Sequence, residues 1–342
     1  MASRVVITGL GVISPIGIGV SEFWKSALAG RSGITAIPSL GWFPMSGYRS
    51  RVAGQIHNFS PEQYLSTMQA SRVDRYAQFA LVSSKEALAD ADLSMANLGQ
   101  ALQCIRSGQA DVIIAVGADA SITPLVFAGF CSLRALSSEF NDAPERASRP
   151  FDRLRDGFVM GEGAATLVVE SWAHAKKRKA RVYAELVGYA ATSEAYHMVI
   201  PQEDGREIAT TMKIGLDSAG IGPDQVDYIN AHATSTTIGD AVETKAVRSL
   251  FKNRADKIAI SATKSLIGHT LGAAGAIGAV ATTLSIHTGQ IHPTVNYEEP
   301  DPACRLDGIT RAVQERKVRY ALLNAFGFGS NNATVVFKKF VA

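Results

Sequence analysis

Two segments of the chain follow the same pattern, and this repetition is the feature that most limits the folds open to it. One segment spans 158–169 and reads FVMGEGAATLVV, and the other spans 326–337 and reads FGFGSNNATVVF. Each is a glycine-rich turn that opens into a strand rich in β-branched residues. Many α/β proteins contain such turns, which is one interpretation. The other is an internal duplication, with active-site loops where the two halves meet.

Strand and helix patterns alternate along both halves of the chain. A continuous apolar run such as 110–117 is typical of a strand buried on both faces. The predicted strands are 4–11, 110–117, 182–190, 226–230 and 257–262, and the predicted helices are 20–29, 72–91, 97–107, 206–219, 240–251 and 269–288. This order predicts an α/β fold in which helices cover both faces of a sheet.

The last of these helices carries the sequence GAAGA at 272–276. Each glycine costs about 1 kcal/mol relative to alanine in an exposed helix, so glycine here needs a packing reason. We therefore expect this helix to lie at the centre of the molecule, in close contact with a sheet or another helix.

Composition excludes several classes of protein. The 342 residues allow two domains or one large duplicated domain, and we expect no apolar stretch to reach the length of a membrane span. The net charge of +3 is too small to predict a nucleic-acid or membrane partner. Cys104, Cys131 and Cys304 are too few and too scattered for a disulfide framework or metal cluster, so we expect no metal, no cofactor and a cytoplasmic protein.

Two of the seven histidines occupy unusual positions. His232 follows a predicted strand and enters a turn rich in hydroxyl groups, and His269 follows another strand and a Gly/Ser turn that contains Lys264. Strand ends in α/β sheets are where ligands bind. A single histidine there is more often structural, whereas two at equivalent points favour a functional pair.

Three motifs now identify a resemblance: NAHATST at 230–236, KSLIGH at 264–269 and NAFGFG at 324–329. Together they resemble the β-ketoacyl-[acyl carrier protein] synthases, most closely the elongating enzymes of type II fatty-acid synthesis, over nearly the whole chain. The resemblance implies a duplicated thiolase-like fold with halves 1–172 and 173–342, layered α-β-α-β-α. It also implies a homodimer whose partner is acyl carrier protein.

The reaction that the resemblance implies is a decarboxylating Claisen condensation. In this family a cysteine takes the acyl group, malonyl carrier protein loses carbon dioxide, and the resulting enolate attacks the thioester. His232 and His269 match the neutral imidazoles that donate to the thioester oxygen, and Lys264 matches a positive charge that disfavours imidazolium. Phe328 matches a family residue whose backbone N–H belongs to the oxyanion hole and whose ring gates the acyl pocket. The remaining matches are the substrate-binding residues Thr234, Thr236, Phe326 and Arg134.

The nucleophile of the family is absent. Its cysteine precedes the helix that begins here at about 97, yet nothing around 91–96 matches that turn, and on the order of 60–80 residues are missing near 95/96. None of the three cysteines is expected to substitute for it. Either the polypeptide contains a segment that this sequence omits, or the protein has lost it. We favour omission, because loss leaves the apolar faces of 112–116 without partners.

Other differences and alternatives follow from the missing segment. Gly278, Ser330 and Val199 replace a glutamate, a glycine and a threonine that are common in the family. A truly lost segment favours a catalytically silent subunit comparable to chain-length factors, or a malonyl decarboxylase that uses His232 and His269 without a cysteine. The basic run at 176–181 is interpreted as a solvated helix end, with carrier-protein docking as the alternative.

Overall fold

The computed structural model describes residues 4–41, 43–93, 101–329 and 331–341. Ser330 and the first part of the helix predicted from 97 lie outside these residues, as does the predicted break at 95/96.

The larger elements agree with the predicted alternation of strands and helices. The strands are β1 (Val5–Ser14), β2 (Gly17–Ile18), β3 (Thr35–Ala36), β4 (Ser39–Leu40), β5 (Phe43–Pro44), β6 (Val52–Gly54), β7 (Val112–Asp119), β8 (Met160–Gly161), β9 (Gly163–Ser171), β10 (Ala184–Ser193), β11 (Tyr228–Asn230), β12 (Ala259–Ser261), β13 (Gln290–Ile291), β14 (Gln314–Glu315), β15 (Tyr320–Gly327) and β16 (Asn331–Lys338). The helices are α1 (Val20–Leu28), α2 (Thr67–Ala70), α3 (Arg75–Ala91), α4 (Ala101–Arg106), α5 (Pro124–Ser132), α6 (Trp172–Lys177), α7 (Arg206–Ala219), α8 (Thr237–Phe251), α9 (Lys264–Ile267) and α10 (Ala274–Thr288).

The main sheet runs in the order β12-β11-β15-β16-β10-β1-β9-β7. β11 is parallel to both β12 and β15, whereas β16 is antiparallel to β15 and β10. Only three residue pairs join β1 to β10, between 5–7 and 184–186. The sheet therefore consists of a C-terminal part with five strands and an N-terminal part with three, to which the two-residue β2 adds by pairing with β1. A short joint connects the two parts.

Five layers result from the way the helices pack on these strands. α10 contacts β15 on one side and β9 and β7 on the other, so it forms the central layer. α3 covers β1 and β9, and α7 covers β10 and β16, on the two outer sides. The predicted α-β-α-β-α arrangement and the central position of the glycine-rich helix are both confirmed.

The central helix is more apolar than we expected. The segment Leu271–Thr288 is long and apolar enough to cross a membrane by length and composition, so the expectation that no stretch reaches that length was wrong. Its apolarity has a packing reason, because most of α10 between Ile277 and Ile286 is buried inside the protein. A Cβ atom on Gly278 would lie 2.8 Å from Cδ1 of Leu323 on β15. Glycine at 278 lets α10 approach the sheet closely.

The two parts of the sheet share a topology but not a strand count. In the C-terminal part, β10 pairs with β16, β16 with β15, and β15 also with β11. In the N-terminal part, β1 pairs with β9 and β9 with β7, but in the described part of the chain no strand lies on the far side of β7. Among the described residues, the N-terminal part therefore has no counterparts of β11 and β12.

Two helix ends bear on predicted residues. The helix α5 ends at Ser132, because Arg134 adopts a left-handed conformation with φ 53°. In the basic run, α6 ends at Lys177, and Arg178 pairs with the buried Glu170 and donates to the Ala91 carbonyl at 2.6 Å. Arg178 thus has a structural role, which favours the interpretation of this run as a helix end.

Candidate active site

The two histidines singled out in the sequence lie together. The centroids of the His232 and His269 rings are 5.6 Å apart, and the ring planes are nearly perpendicular at 88°. His232 follows β11 and His269 follows α9, which begins just after β12. Because β11 and β12 are parallel neighbours, their carboxyl ends meet at one edge of the sheet. Strand topology alone therefore brings the two loops together.

The hydrogen bonds of His269 determine which ring nitrogen carries its proton. Its Nδ1 accepts the backbone N–H of Leu271 at 3.2 Å, so the neutral ring is protonated on Nε2. Its own backbone N–H donates to the Val159 carbonyl at 2.7 Å, and its carbonyl accepts from Gly161 at 3.0 Å. These contacts attach the loop to the N-terminal half and leave Nε2–H as a donor.

A buried carboxylate holds the turn that carries His232. Glu243 on α8 accepts the backbone N–H of His232 at 3.0 Å and that of Ala233 at 2.8 Å. Asn324 on β15 donates to the same carboxylate at 3.1 Å. Nδ1 of His232 is buried without a hydrogen-bond partner in the described residues, and a buried N–H without an acceptor is costly. This favours protonation of His232 on Nε2 as well.

Glu243 and Asn324 had no role in the sequence interpretation. Asn324 stood within a quoted motif, and Glu243 lies in the helix directly after the His232 turn, three residues from Asp240. Asp240 is buried too, and it accepts from the backbone of Ser235 at 3.1 Å and of Phe151 at 2.9 Å. The only sequence signal was two acidic residues on an otherwise apolar helix face.

Lys264 sets the electrostatics of the site. It is the first residue of α9 and only 9% exposed, and burial lowers the pKa of its ammonium to about 8 even though Glu243 and Asp240 oppose the shift. Burial and the Lys264 charge lower the pKa of His269 to about 3 and that of His232 well below 6.5. Both imidazoles are therefore neutral donors near pH 7.

Aromatic rings line the space beside the pair. The Phe326 ring lies 5.4 Å from His232, and the Phe158 ring lies 5.6 Å from His269. Phe130 lies 5.2 Å from Phe158 and 6.3 Å from Phe328, which is 48% exposed. Successive ring contacts thus connect His269, through Phe158 and Phe130, with the exposed Phe328.

The remaining predicted residues lie at different distances from this centre. The hydroxyl groups of Thr234 and Thr236 are 3.0 Å apart on the turn that follows His232. Thr236 also accepts the Gly239 N–H at 3.2 Å as the N-cap of α8, so its hydroxyl has a structural function. Arg134 is exposed beyond the end of α5, and no described contact joins its side chain to the imidazoles.

No described thiol is suited to act as a nucleophile. Cys104, Cys131 and Cys304 are all free, and Cys104 lies on α4, where it packs against the hydrophobic core rather than beside the imidazoles. Burial raises the pKa of Cys131, and it raises that of Cys304 to about 12, so neither is a thiolate near pH 7. The described residues also contain no group of three or more His, Cys, Asp or Glu that could hold a metal ion.

A cavity in the N-terminal half is lined by neither of the two histidines. It measures about 840 Å³ and is lined by Ala120, which follows β7, and by Arg75 at the start of α3. Arg75 pairs there with Glu162 at 2.8 Å.

Family profiles match most of the chain. The profile described as "Beta-ketoacyl synthase, N-terminal domain" matches residues 2–101 and again 94–175, and the profile described as "Beta-ketoacyl synthase, C-terminal domain" matches 183–298. The N-terminal profile is matched in two pieces that meet around the predicted break.

Curated relatives extend over nearly the full length. The 3-oxoacyl-[acyl-carrier-protein] synthase 2 of Coxiella burnetii is 36% identical over 411 residues, covering 98% of each chain. The protein of the same name from Synechocystis sp. is 37% identical over 412 residues, again covering 98% of each. An alignment of 411 residues exceeds the 342 of this chain, so at least 69 aligned positions of the Coxiella protein have no counterpart here.

Solved structures show the same architecture. A type II PKS acyl-carrier protein in complex with its ketosynthase, AntDE:AntF, matches with a TM-score of 0.89, 30% identity and full coverage of both chains. The ishigamide ketosynthase/chain length factor matches with a TM-score of 0.90 and 29% identity, also with full coverage. A β-ketoacyl synthase from Burkholderia phymatum has a TM-score of 0.89 at 28% identity, covering 99% of this chain and 100% of that one.

Proposed function

The chain belongs to the β-ketoacyl synthase family, and from this premise we propose that His232 and His269 decarboxylate a malonyl thioester during a decarboxylating Claisen condensation. The resemblance, the thiolase-like fold and the assignment to the condensing enzymes of fatty-acid elongation are confirmed by the family profiles and the full-length relatives. The observation that carries the proposed residue roles is the pair of neutral imidazoles beside a buried lysine.

The chemistry follows from where charge develops. When the bond between the carboxylate carbon and the α-carbon breaks, its electron pair moves into the thioester and places negative charge on the thioester oxygen, while carbon dioxide leaves. Two N–H donors at that oxygen stabilise the enolate. An imidazolium would be a stronger donor but would transfer its proton to the enolate, so low imidazole pKa values favour hydrogen bonding over protonation.

Condensation needs one more group. The enolate carbon attacks the carbonyl of an acyl-cysteine thioester, and the cysteine thiolate leaves as the new carbon–carbon bond forms. The three cysteines are unsuited to this step, so we propose that the nucleophile belongs to a segment at 95/96 that this sequence does not include. The two-part match of the N-terminal profile supports this placement, as does the edge of β7 with which no described strand pairs.

The substrates and partners are proposed from the same relatives. Proteins named 3-oxoacyl-[acyl-carrier-protein] synthase 2, and a neighbour solved with its acyl-carrier protein, support acyl and malonyl groups delivered on a carrier protein. Thr234 and Thr236 are proposed to bind the phosphopantetheine arm, Phe328 to contribute its backbone N–H and to gate the acyl pocket, Phe326 to contact substrate, and Arg134 to lie at the pocket mouth. A cytoplasmic homodimer completes the proposal.

A silent partner subunit is the second candidate, because one structural neighbour pairs a ketosynthase with a chain length factor. The intact geometry of His232, His269 and Lys264 favours an active centre instead. A subunit without chemistry does not need two imidazoles held neutral beside a buried ammonium.

The deciding experiment supplies malonyl carrier protein and measures release of carbon dioxide and formation of acetyl carrier protein. We expect release by the chain as it stands, and a loss of about 100-fold in His232→Ala and in His269→Ala. His287→Ala is the control, since His287 lies at the far end of α10 against Tyr183. Absence of release from the unmodified protein would favour the silent subunit.

Adding acyl carrier protein then tests condensation, which we expect only when the cysteine segment is present.

A further inference from the structure

A third histidine lies buried behind the site, and the proposed reaction does not use it. His292 follows β13 and is 0% exposed. Its Nδ1 lies 2.9 Å from the carbonyl oxygen of Pro293, and because a carbonyl only accepts, Nδ1 carries the proton. Nε2 is therefore left as an acceptor inside the protein.

This acceptor faces two hydroxyl groups at the end of β12. Nε2 of His292 lies 3.1 Å from Oγ1 of Thr263 and 3.3 Å from Oγ of Ser261. Thr263 in turn accepts from Nδ2 of Asn230 at 3.0 Å, and Oδ1 of Asn230, at 3.2 Å, is a second acceptor for the Thr263 hydroxyl proton beside Nε2 of His292. The Asn230 amide also donates to the Gly278 carbonyl at 3.2 Å. The His292 imidazole thus connects the ends of β11 and β12 through hydrogen bonds. The Asn230 side chain extends this network to the central helix α10.

The residues that His292 connects lie where the two loops of the candidate active site begin. Asn230 is two residues before His232, and Thr263 is directly before Lys264. The His292 segment holds β12 at a further point, because Thr294 accepts the Ala262 N–H at 3.1 Å. A shift of His292 therefore displaces both loops together.

We propose that His292 is a positioning residue, which acts through Thr263 to hold the Lys264 turn against the His232–His269 pair. This inference rests on the proposed decarboxylation. A rigid imidazole suits the role because it presents a donor on one edge and an acceptor on the other. Phenylalanine retains the ring but no acceptor, whereas glutamine retains an acceptor amide.

A double-mutant cycle tests whether His292 acts through Thr263. We expect His292→Phe and Thr263→Val each to lower kcat for carbon dioxide release about 10-fold, with KM unchanged within about twofold. The double variant should lose about 10- to 20-fold in kcat, rather than the about 100-fold expected from two independent effects. His292→Gln should recover part of the loss. Tyr228→Phe is the matched control, because the Tyr228 hydroxyl bonds Ser261, at 2.6 Å, and Ser285 rather than Thr263. Its kcat should stay within about twofold of the unmodified protein.

A second measurement needs no substrate and therefore separates this inference from the proposed function. In protein labelled with ¹⁵N at histidine, the titration midpoints of His232 and His269 should rise by about one pH unit in both single variants, since Lys264 moves away from them. The charged groups that face the pair are Lys264 and Glu243, with Asp240 on the same helix as Glu243.

Three results would overturn the inference. They are additive effects of His292→Phe and Thr263→Val on kcat, a loss of kcat in Tyr228→Phe equal to that in Thr263→Val, or unchanged titration midpoints of His232 and His269 in a folded variant. If His292→Phe does not fold by circular dichroism, the isosteric Thr263→Val variant decides by its kcat and its midpoints. A wild-type protein that releases no carbon dioxide contradicts the proposed function, while the titrations still report on positioning.

Discussion

The carboxylate of Glu243 accepts the backbone N–H of His232 at 3.0 Å, so a residue on α8 sets the position of an imidazole eleven residues earlier in the chain. The second carboxylate oxygen accepts from Ala233 at 2.8 Å. Both oxygens act as acceptors, which an amide cannot reproduce, because its NH₂ group would face an N–H.

Replacing Glu243 with glutamine should therefore destabilise the protein by about 1–3 kcal/mol, measured by urea unfolding. It also removes a negative charge that favours the ammonium of Lys264, so the pKa of Lys264 should fall further below about 8 and the alkaline limb of the pH–rate profile should move to lower pH. Glu315→Gln, at an exposed position on β14, is the control. Equal stability of the two variants would contradict the role given to Glu243.

Lys264→Met tests the electrostatic part of the site. Loss of the positive charge removes one cause of the low pKa values of His232 and His269, so both should rise toward the ordinary 6.5. We expect the acid limb of the rate profile to move up in pH and carbon dioxide release near pH 7 to fall about 10- to 100-fold. Unchanged histidine titrations would show that burial alone keeps the imidazoles neutral.

The central helix offers a matched pair of glycines. A Cβ on Gly278 would lie 2.8 Å from Leu323, whereas a Cβ on Gly275 has nothing within 4 Å. Gly278→Ala should lower the free energy of unfolding by about 1–3 kcal/mol through overpacking. Gly275→Ala should raise it by up to about 1 kcal/mol through helix propensity, because both glycines lie within α10. Similar effects in both variants would mean that the close approach of α10 to β15 does not depend on Gly278.

The fold and the histidine pair could be predicted because their signals are local. The repeated turns, the apolar strands and the glycine-rich helix each appear in a few consecutive residues, and strand ends bring His232 and His269 to one edge. The anchors of the site could not be predicted in this way. Glu243 binds backbone N–H groups, which have no sequence signature, and His292 contacts Thr263 across 29 positions.

The sequence patterns also did not predict the conformations of turns. α5 ends before Arg134 without a glycine or proline to mark the stop, since Arg134 itself takes the left-handed conformation. The space that a glutamate at 278 would need is taken by Leu323, a contact between residues far apart in the chain. Packing between distant segments decides both points.

The buried histidines predict how stability depends on acid. Burial lowers the pKa of His292 to about 4, below the ordinary 6.5, so between these values the unfolded chain binds a proton that the folded protein does not. The contribution of neutral, buried His292 to the free energy of unfolding is fully present above pH 6.5 and is lost as the pH falls. The loss reaches about 3 kcal/mol by pH 4. His292→Gln should lower stability at pH 7 yet make its decline from pH 6.5 to 4 shallower, as measured by urea unfolding at each pH. His57→Gln is the control, because His57 is exposed. A decline as steep in His292→Gln as in the unmodified protein would mean that other groups cause the acid sensitivity.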